Sequence, residues 1–202
     1  MAKRSRLLTL SAVFTLATAY ARAASADEPP RQVITVRVYD YTAAPAAMLS
    51  RAKEDVSRIY RQAGIDIRWI DTPDTNRAAA FAIQIMIRRR PVDGSTSASG
   101  SVMGSSLGDT HDVDGSAFVF RDRVTHVAHG RQQDVARVLG YAMAHEMGHL
   151  LLPYPAHSTN GMMRAAWDGD DLRHIANGSM LFTPAQATLI RARAAGCCDV
   201  PR

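Results

Sequence analysis

Two histidines and a glutamate in the second half of the chain have the spacing of a metal-dependent hydrolase. His145 and His149 are four residues apart, and Glu146 follows the first histidine directly. Residues four apart share one face of a helix, so both imidazoles can reach one ion while the carboxylate takes a proton from water. The alternative is a helix with two structural histidines and a solvated glutamate between them. The spacing therefore predicts a metal site.

A third candidate ligand, His157, lies eight residues beyond His149. Catalytic zinc sites use three protein ligands and keep one position for water. Pro153 and Pro155 end the helix and force a turn, which can bring His157 back beneath the helix. The three histidines are therefore candidates to hold one catalytic zinc ion, with Glu146 as the general base.

The residues after the helix resemble a known family. Following His157, the stretch "STNGMM" makes a Ser-x-x-Gly turn that ends in methionines. Together with "HEMGHLLL", this pattern resembles the metzincin zinc peptidases, and the His-Ser pair resembles their matrix metalloprotease branch. With "FTPAQ" downstream, the pattern is also similar to small exported bacterial proteins with a metzincin-like site. The resemblance covers about residues 133 to 195.

The resemblance implies an exported zinc metalloendopeptidase that cleaves peptides or proteins. It implies three zinc ligands and one general base: His145, His149, His157 and Glu146. Met163, rather than Met162, would be the methionine beneath the metal. The family has a glycine three residues after the second histidine and the third ligand three residues later. Here Leu152 and Pro155 occupy those positions, so the loop to the third ligand has to turn by another route.

Two other functions remain open. One is a non-catalytic binding module that a zinc ion stabilises, although a structural zinc closes all four positions with protein ligands and needs no Glu146. The other is a zinc hydrolase that acts on a non-peptide amide, such as cell-wall material.

The N-terminus has the pattern of a secretory signal peptide, residues 1–26. Basic residues precede an apolar run from Leu7 to about Tyr20, and small residues end at Ala26. A membrane anchor is the alternative, but the run is short for a bilayer span. Cleavage removes four of the 24 basic residues and none of the 19 acidic ones, which leaves a net charge of +1. We therefore expect a secreted or periplasmic protein with no stable membrane insertion after cleavage and no nucleic-acid partner.

The remaining chain, residues 27–202, predicts a single α+β domain. We expect a twisted mixed sheet packed against a long active-site helix, from about Gln132 to Leu152, and a C-terminal helix with Thr183 as N-cap. Strands are predicted at residues 33–41, 66–71, 80–89 and 116–122, and a helix from about residue 44 that ends at Gly64. Residues 91–115 indicate irregular surface structure. The strand "SAFVF" is the expected edge that receives an extended substrate.

Other features give weaker indications. The aspartates of "GDTHDVDG" are faintly similar to a calcium loop but lack its glutamate, so a solvated loop is favoured; the family resemblance leaves a structural calcium ion open. "WDGDD" also indicates a solvated loop. The adjacent Cys197 and Cys198 cannot form a disulfide across the core, and their role stays open, as does the oligomeric state. Tyr154 is expected to be an ordinary loop residue rather than a substrate ligand.

Overall fold

The computed structural model describes residues 31–70, 82–91, 103–107 and 115–196 of the 202-residue chain. These ranges contain five strands and five helices. The strands are β1 (Gln32–Asp40), β2 (Ile65–Ile70), β3 (Ala82–Arg88), β4 (Gly104–Leu107) and β5 (Gly115–Phe120). The helices are α1 (Ala46–Gln62), α2 (Arg121–Gly130), α3 (Val135–Leu151), α4 (Gly169–Ala176) and α5 (Pro184–Ala194). The structure is therefore α+β, as the sequence predicts.

The five strands form one mixed sheet in the order β2-β1-β3-β5-β4. β1 pairs in parallel with β2 and β3, and β3 pairs in parallel with β5. β4 lies at the edge and runs antiparallel to β5. Two predictions were therefore wrong. The strand "SAFVF" lies inside the sheet, and the edge strand lies in the region expected to be irregular. β4 has only four residues, "GSSL", so it carries no alternation of apolar and polar side chains.

The first half of the described chain buries its regularly spaced apolar residues in one core. In β1 and β3 these are every second residue: Ile34, Val36, Ile83, Ile85 and Ile87. In α1 they recur at helical spacing: Ala52, Val56, Ile59 and Tyr60. Gly64 follows α1 with φ +85°, a left-handed conformation that glycine adopts without strain. The predicted helix and its glycine terminator are confirmed.

Helix α3 runs through the core and carries the candidate site. The side chain of Asp134 caps it by accepting a 2.9 Å hydrogen bond from the backbone N–H of Ala136. Gly140 lets α1 approach closely, since a Cβ there would lie 2.7 Å from the carbonyl oxygen of Ala52. The helix ends two residues before Pro153, which cannot continue it. The observed bounds lie inside those predicted.

Two short helices were not predicted. α2 follows β5 directly, so the strand expected to reach Asp122 ends at Phe120. α4 begins in the acidic stretch that was expected to be a solvated loop. There the side chain of Asp168 accepts from the backbone N–H of Asp171, whose carboxylate accepts from the backbone N–H of Asp168. This reciprocal capping box starts a helix of eight residues whose buried apolar side chains are Leu172 and Ile175.

The C-terminal helix α5 begins as predicted. Thr183 is its N-cap, Pro184 is its first residue, and Gln186 completes a second capping box. None of the described helices is long and apolar enough to cross a membrane. Three predicted features lie outside the described residues: the signal peptide at residues 1–26, the aspartate loop at residues 108–114, and Cys197 with Cys198.

Candidate metal centre

The two histidines of α3 lie on one face of the helix. Nε2 of His145 and Nε2 of His149 are 3.1 Å apart. Two nitrogens bound to one tetrahedral zinc ion at about 2.1 Å would be about 3.4 Å apart. The helix therefore presents these nitrogens at nearly the separation that a shared ion requires.

A hydrogen bond fixes the orientation of the first imidazole. Nδ1 of His145 lies 2.8 Å from the carbonyl oxygen of Met162. Because a carbonyl oxygen only accepts, Nδ1 carries the proton, and Nε2 keeps its lone pair. Burial lowers the pKa of His145 to about 4 and the pKa of His149 to about 4. Both imidazoles are therefore neutral at pH 7, the form that binds metals.

The loop after α3 brings His157 to the same place. Its ring centroid lies 4.7 Å from that of His149 and 5.6 Å from that of His145. One candidate ligand nitrogen from each histidine lies within 4.8 Å of the other two. The group can therefore hold a metal ion. In the part of the chain that the structure describes, it is the only such group of three or more histidine, cysteine or acidic side chains.

The loop reaches this position without the glycine of the resembled family. Leu152 leaves the helix in an extended conformation, with φ −108° and ψ 145°. Pro153, Tyr154 and Pro155 then lie at the surface, and the peptide bond between Tyr154 and Pro155 is cis. Tyr154 is 91% exposed and does not line the cleft, which agrees with an ordinary loop residue.

The turn at residues 158–163, here called the methionine turn, packs against the helix that carries the first two histidines. Met162 and Met163 are both fully buried. A Cβ at Gly148 would lie 2.5 Å from Sδ of Met163, so any larger residue would displace the Met163 side chain from this position. Gly148 therefore permits the close packing of Met163 against α3. The neighbouring Met162 contributes the carbonyl oxygen that holds His145.

Glu146 lies beside the histidines with only 6% of its surface exposed. Its side chain packs against β4, because a Cβ at Gly104 would lie 2.6 Å from Cγ and 2.6 Å from Oε1 of Glu146. Burial raises the pKa of Glu146 to about 8. A cation held by the adjacent imidazoles would favour the ionised carboxylate and oppose this effect.

An open cleft with a volume of about 170 Å³ lies over these groups. One wall is β4 with the preceding residue, and the other is the segment that follows the methionine turn. The lining residues outside the helix and loop are Met103, Gly104, Ser105, Ser106, Arg164, Ala165 and Trp167. None of them was predicted to belong to the site. Two adjacent serines, Ser105 and Ser106, and an isolated tryptophan, Trp167, form no sequence pattern that predicts a cleft.

Trp167 and Arg164 fix the second wall. The Trp167 ring meets His145 edge to face, with centroids 5.8 Å apart, and its buried Nε1 has no hydrogen-bond partner among the described residues. The Arg164 guanidinium binds the carboxylates of Asp168 and Asp171 at 2.7 and 2.6 Å. The N-terminus of α4 therefore anchors this wall of the cleft.

The other described histidines do not join the site. They are exposed on α2 and α4: His126, His129 and His174.

Among known proteins, no family model and no curated protein matches this chain. The functional argument therefore depends on the geometry of the site.

Proposed function

We propose that the chain is an exported, zinc-dependent metallopeptidase with a metzincin-like domain. The carrying observation is that three imidazoles able to hold one ion lie beside a buried carboxylate, Glu146, at an open cleft. Three protein ligands leave one position of a tetrahedral zinc ion for water. A purely structural zinc ion would need neither the cleft nor the carboxylate.

The donor atoms suit zinc. Imidazole nitrogens are common ligands of zinc, and the 3.1 Å separation on α3 fits two nitrogens bound to one tetrahedral ion. The carbonyl oxygen of Met162 gives His145 the kind of outer partner that fixes a ligand's tautomer and ring orientation. When bound, zinc supplies Lewis acidity that activates water and polarises a carbonyl group.

The proton transfers are assigned to Glu146. Its carboxylate takes a proton from the attacking water and delivers it to the amine nitrogen when the C–N bond breaks. The contact with Gly104 holds the carboxyl group at the wall of the cleft. Glu146 therefore lines the cleft in which the substrate is proposed to bind.

The substrate is proposed to bind as an extended peptide along β4. The outer edge of β4 pairs with no strand among the described residues, so its backbone groups can form hydrogen bonds with a peptide. β4 also lines the cleft and precedes α3 in the sequence. It takes the role that the sequence had suggested for residues 116–120.

The test uses the chain from residue 27 onwards. We expect about one zinc ion per chain and cleavage of a mixed peptide library, identified by mass spectrometry. Glu146→Ala should retain the zinc and lose the cleavage. Equal cleavage by both proteins would refute the assigned role of Glu146, and a wild-type chain that binds no zinc would refute the proposed function.

Two further outcomes separate the alternatives. Cleavage of cell-wall amides without any cleavage of the library would indicate a non-peptide amidase. Stoichiometric zinc without activity on either substrate would indicate a non-catalytic module. Export is tested separately: cell fractionation should find the full-length chain outside the cytoplasm, and a chain without residues 1–26 inside it.

A further inference from the structure

The three candidate ligands are held in different ways. A backbone carbonyl holds the His145 ring, and the rigid helix α3 carries His149. The imidazole of His157 is exposed and makes no hydrogen bond to any other described residue. Its position therefore depends on what fixes the backbone of its loop.

The next residue, Ser158, is fixed by three hydrogen bonds. Its backbone N–H donates to the carbonyl oxygen of Met163 at 2.9 Å. Its hydroxyl donates to the carbonyl oxygen of Asn160 at 2.8 Å and accepts from Nε2 of Gln186 at 3.1 Å. The first two bonds lie within the loop. Only the bond from Gln186 ties Ser158 to another element of the fold.

Gln186 does more than cap its own helix. Its Oε1 accepts from the backbone N–H of Thr183 at 2.9 Å, which completes the capping box of α5. Glutamate would serve that purpose equally well, since only an acceptor is needed. The amide Nε2 is what allows the additional bond to Ser158, and the side chain is buried, with 9% exposed. The cap alone therefore does not explain an amide at this position.

A second contact ties the same loop to the residues before α5. The backbone N–H of Met162 donates to the carbonyl oxygen of Leu181 at 2.9 Å. Gly161 allows this approach, because a Cβ there would lie 2.8 Å from that oxygen. The segment from Leu181 to Gln186 therefore contacts both ends of the methionine turn.

We propose that Gln186 is a positioning residue for the third metal ligand, His157. By donating to Ser158, Gln186 fixes the direction in which the preceding histidine leaves the loop. This inference rests on the proposed zinc site. Partners of metal ligands commonly change metal affinity by about 10- to 100-fold, and here the partner acts one residue away from the ligand.

The test measures zinc affinity by competition with a chromophoric chelator. Ser158→Ala removes the acceptor of the bond, and Gln186→Ala removes its donor, so the loss of this bond is common to both variants. Each should weaken zinc binding by about tenfold. Ser158→Thr keeps a hydroxyl and should restore the wild-type affinity. Thr183→Ala is the matched control: it removes the N-cap side chain of α5 but leaves Gln186 and Ser158 in place.

The control separates positioning from general stability. We expect Thr183→Ala to lower the melting temperature of the metal-free protein yet bind zinc within about twofold of wild type. The visible spectrum of the cobalt-substituted protein should change in Ser158→Ala and Gln186→Ala but not in Thr183→Ala.

Zinc affinity unchanged in Ser158→Ala, or lowered equally in Thr183→Ala, would overturn the positioning role. Should Gln186→Ala fail to fold, the comparison of Ser158→Ala with Ser158→Thr decides. Absence of zinc binding in the wild type would instead refute the proposed function.

Discussion

The candidate metal centre has two halves that are built differently. The helix half consists of His145, Glu146 and His149, which one turn of α3 places together. The loop half consists of His157 and the turn after it, which contacts from distant residues hold in place. In the first half His145 and Glu146 are buried and His149 is half-buried, whereas His157, the ligand of the second half, is exposed.

This difference separates what local spacing provides from what tertiary contacts provide. Residues at positions i and i+4 meet whenever the helix forms. A loop residue reaches the same place only if its backbone hydrogen bonds have partners elsewhere in the fold. Removing a side chain of the helix half should therefore affect chemistry and core stability together, whereas removing the exposed ligand of the loop half should act mainly on metal affinity.

The largest expected effects come from removing a ligand of either half. His145→Ala and His157→Ala should each weaken zinc binding by more than about a hundredfold. His145→Ala should also lower the free energy of unfolding of the metal-free protein by about 1–3 kcal/mol, because it removes a buried hydrogen bond. Because His157 is exposed, His157→Ala should lower the free energy of unfolding by less than about 0.5 kcal/mol. Chelator competition and urea unfolding measure both quantities, and equal destabilisation by the two variants would contradict the contrast between the halves.

The next effect concerns the carboxylate of the helix half. Gly104→Ala places a methyl group 2.6 Å from Oε1 of Glu146 and 2.5 Å from the backbone carbonyl oxygen of Phe118. It should therefore displace the carboxylate and also strain the pairing of β4 with β5. We expect kcat to fall by about 10- to 100-fold, the contribution of a misplaced general base, while zinc affinity stays within about twofold. Gly130→Ala is the matched control, since a Cβ at Gly130 meets nothing within 4 Å. A parallel loss of zinc would show that the change damages the whole centre rather than Glu146.

Substituting one glycine in each half allows a direct comparison of the two halves. Gly161 of the loop has φ +74°, so Gly161→Ala should cost about 1–3 kcal/mol of stability and weaken zinc binding severalfold. Gly148→Ala in α3 gains about 1 kcal/mol of helix propensity, which offsets part of the cost of displacing Met163. The free energy of unfolding should therefore fall less in Gly148→Ala. The reverse order in urea unfolding would show that the helix packing, rather than the loop conformation, is the stricter constraint.

The last comparison concerns a pH dependence of stability in the metal-free protein. Burial raises the pKa of Glu146 from 4.5 to about 8. The folded protein therefore binds more protons than the unfolded chain between these values, and this contribution to stability, complete below pH 4.5, is lost as the pH rises through 8. The melting temperature of wild type relative to Glu146→Gln should fall over that range, with a chelator present. A constant difference between the two proteins would show that the carboxyl group titrates normally.

The parts of the structure that could be predicted are those specified by local patterns. The strand β3 shows period-two burial, α1 is followed by Gly64, and α5 begins with Thr183 and Pro184. The grouping of His145 with His149 follows from helical spacing in the same way. β4 could not be found, because its four residues, "GSSL", carry no alternating pattern and become a strand only by pairing with β5.

The position of His157 was predicted only in part. That His157 lies near the helix follows from the prolines and the family pattern. The contacts that hold its loop in place do not follow from them. Gln186 shows in the sequence only as a capping residue, and its bond to Ser158 spans 28 residues. No short-range pattern encodes such a contact.

The attachment of the histidine loop to residues Leu181 and Gln186 also sets an order in time. A polypeptide emerges from the ribosome N-terminus first, so the nascent chain acquires both histidines of α3 before it has the segment that anchors the third. Until that segment docks, the nascent chain has only two candidate metal ligands in position. If the site binds zinc as proposed, loading of the ion is one of the last events of maturation, after the polypeptide is nearly complete.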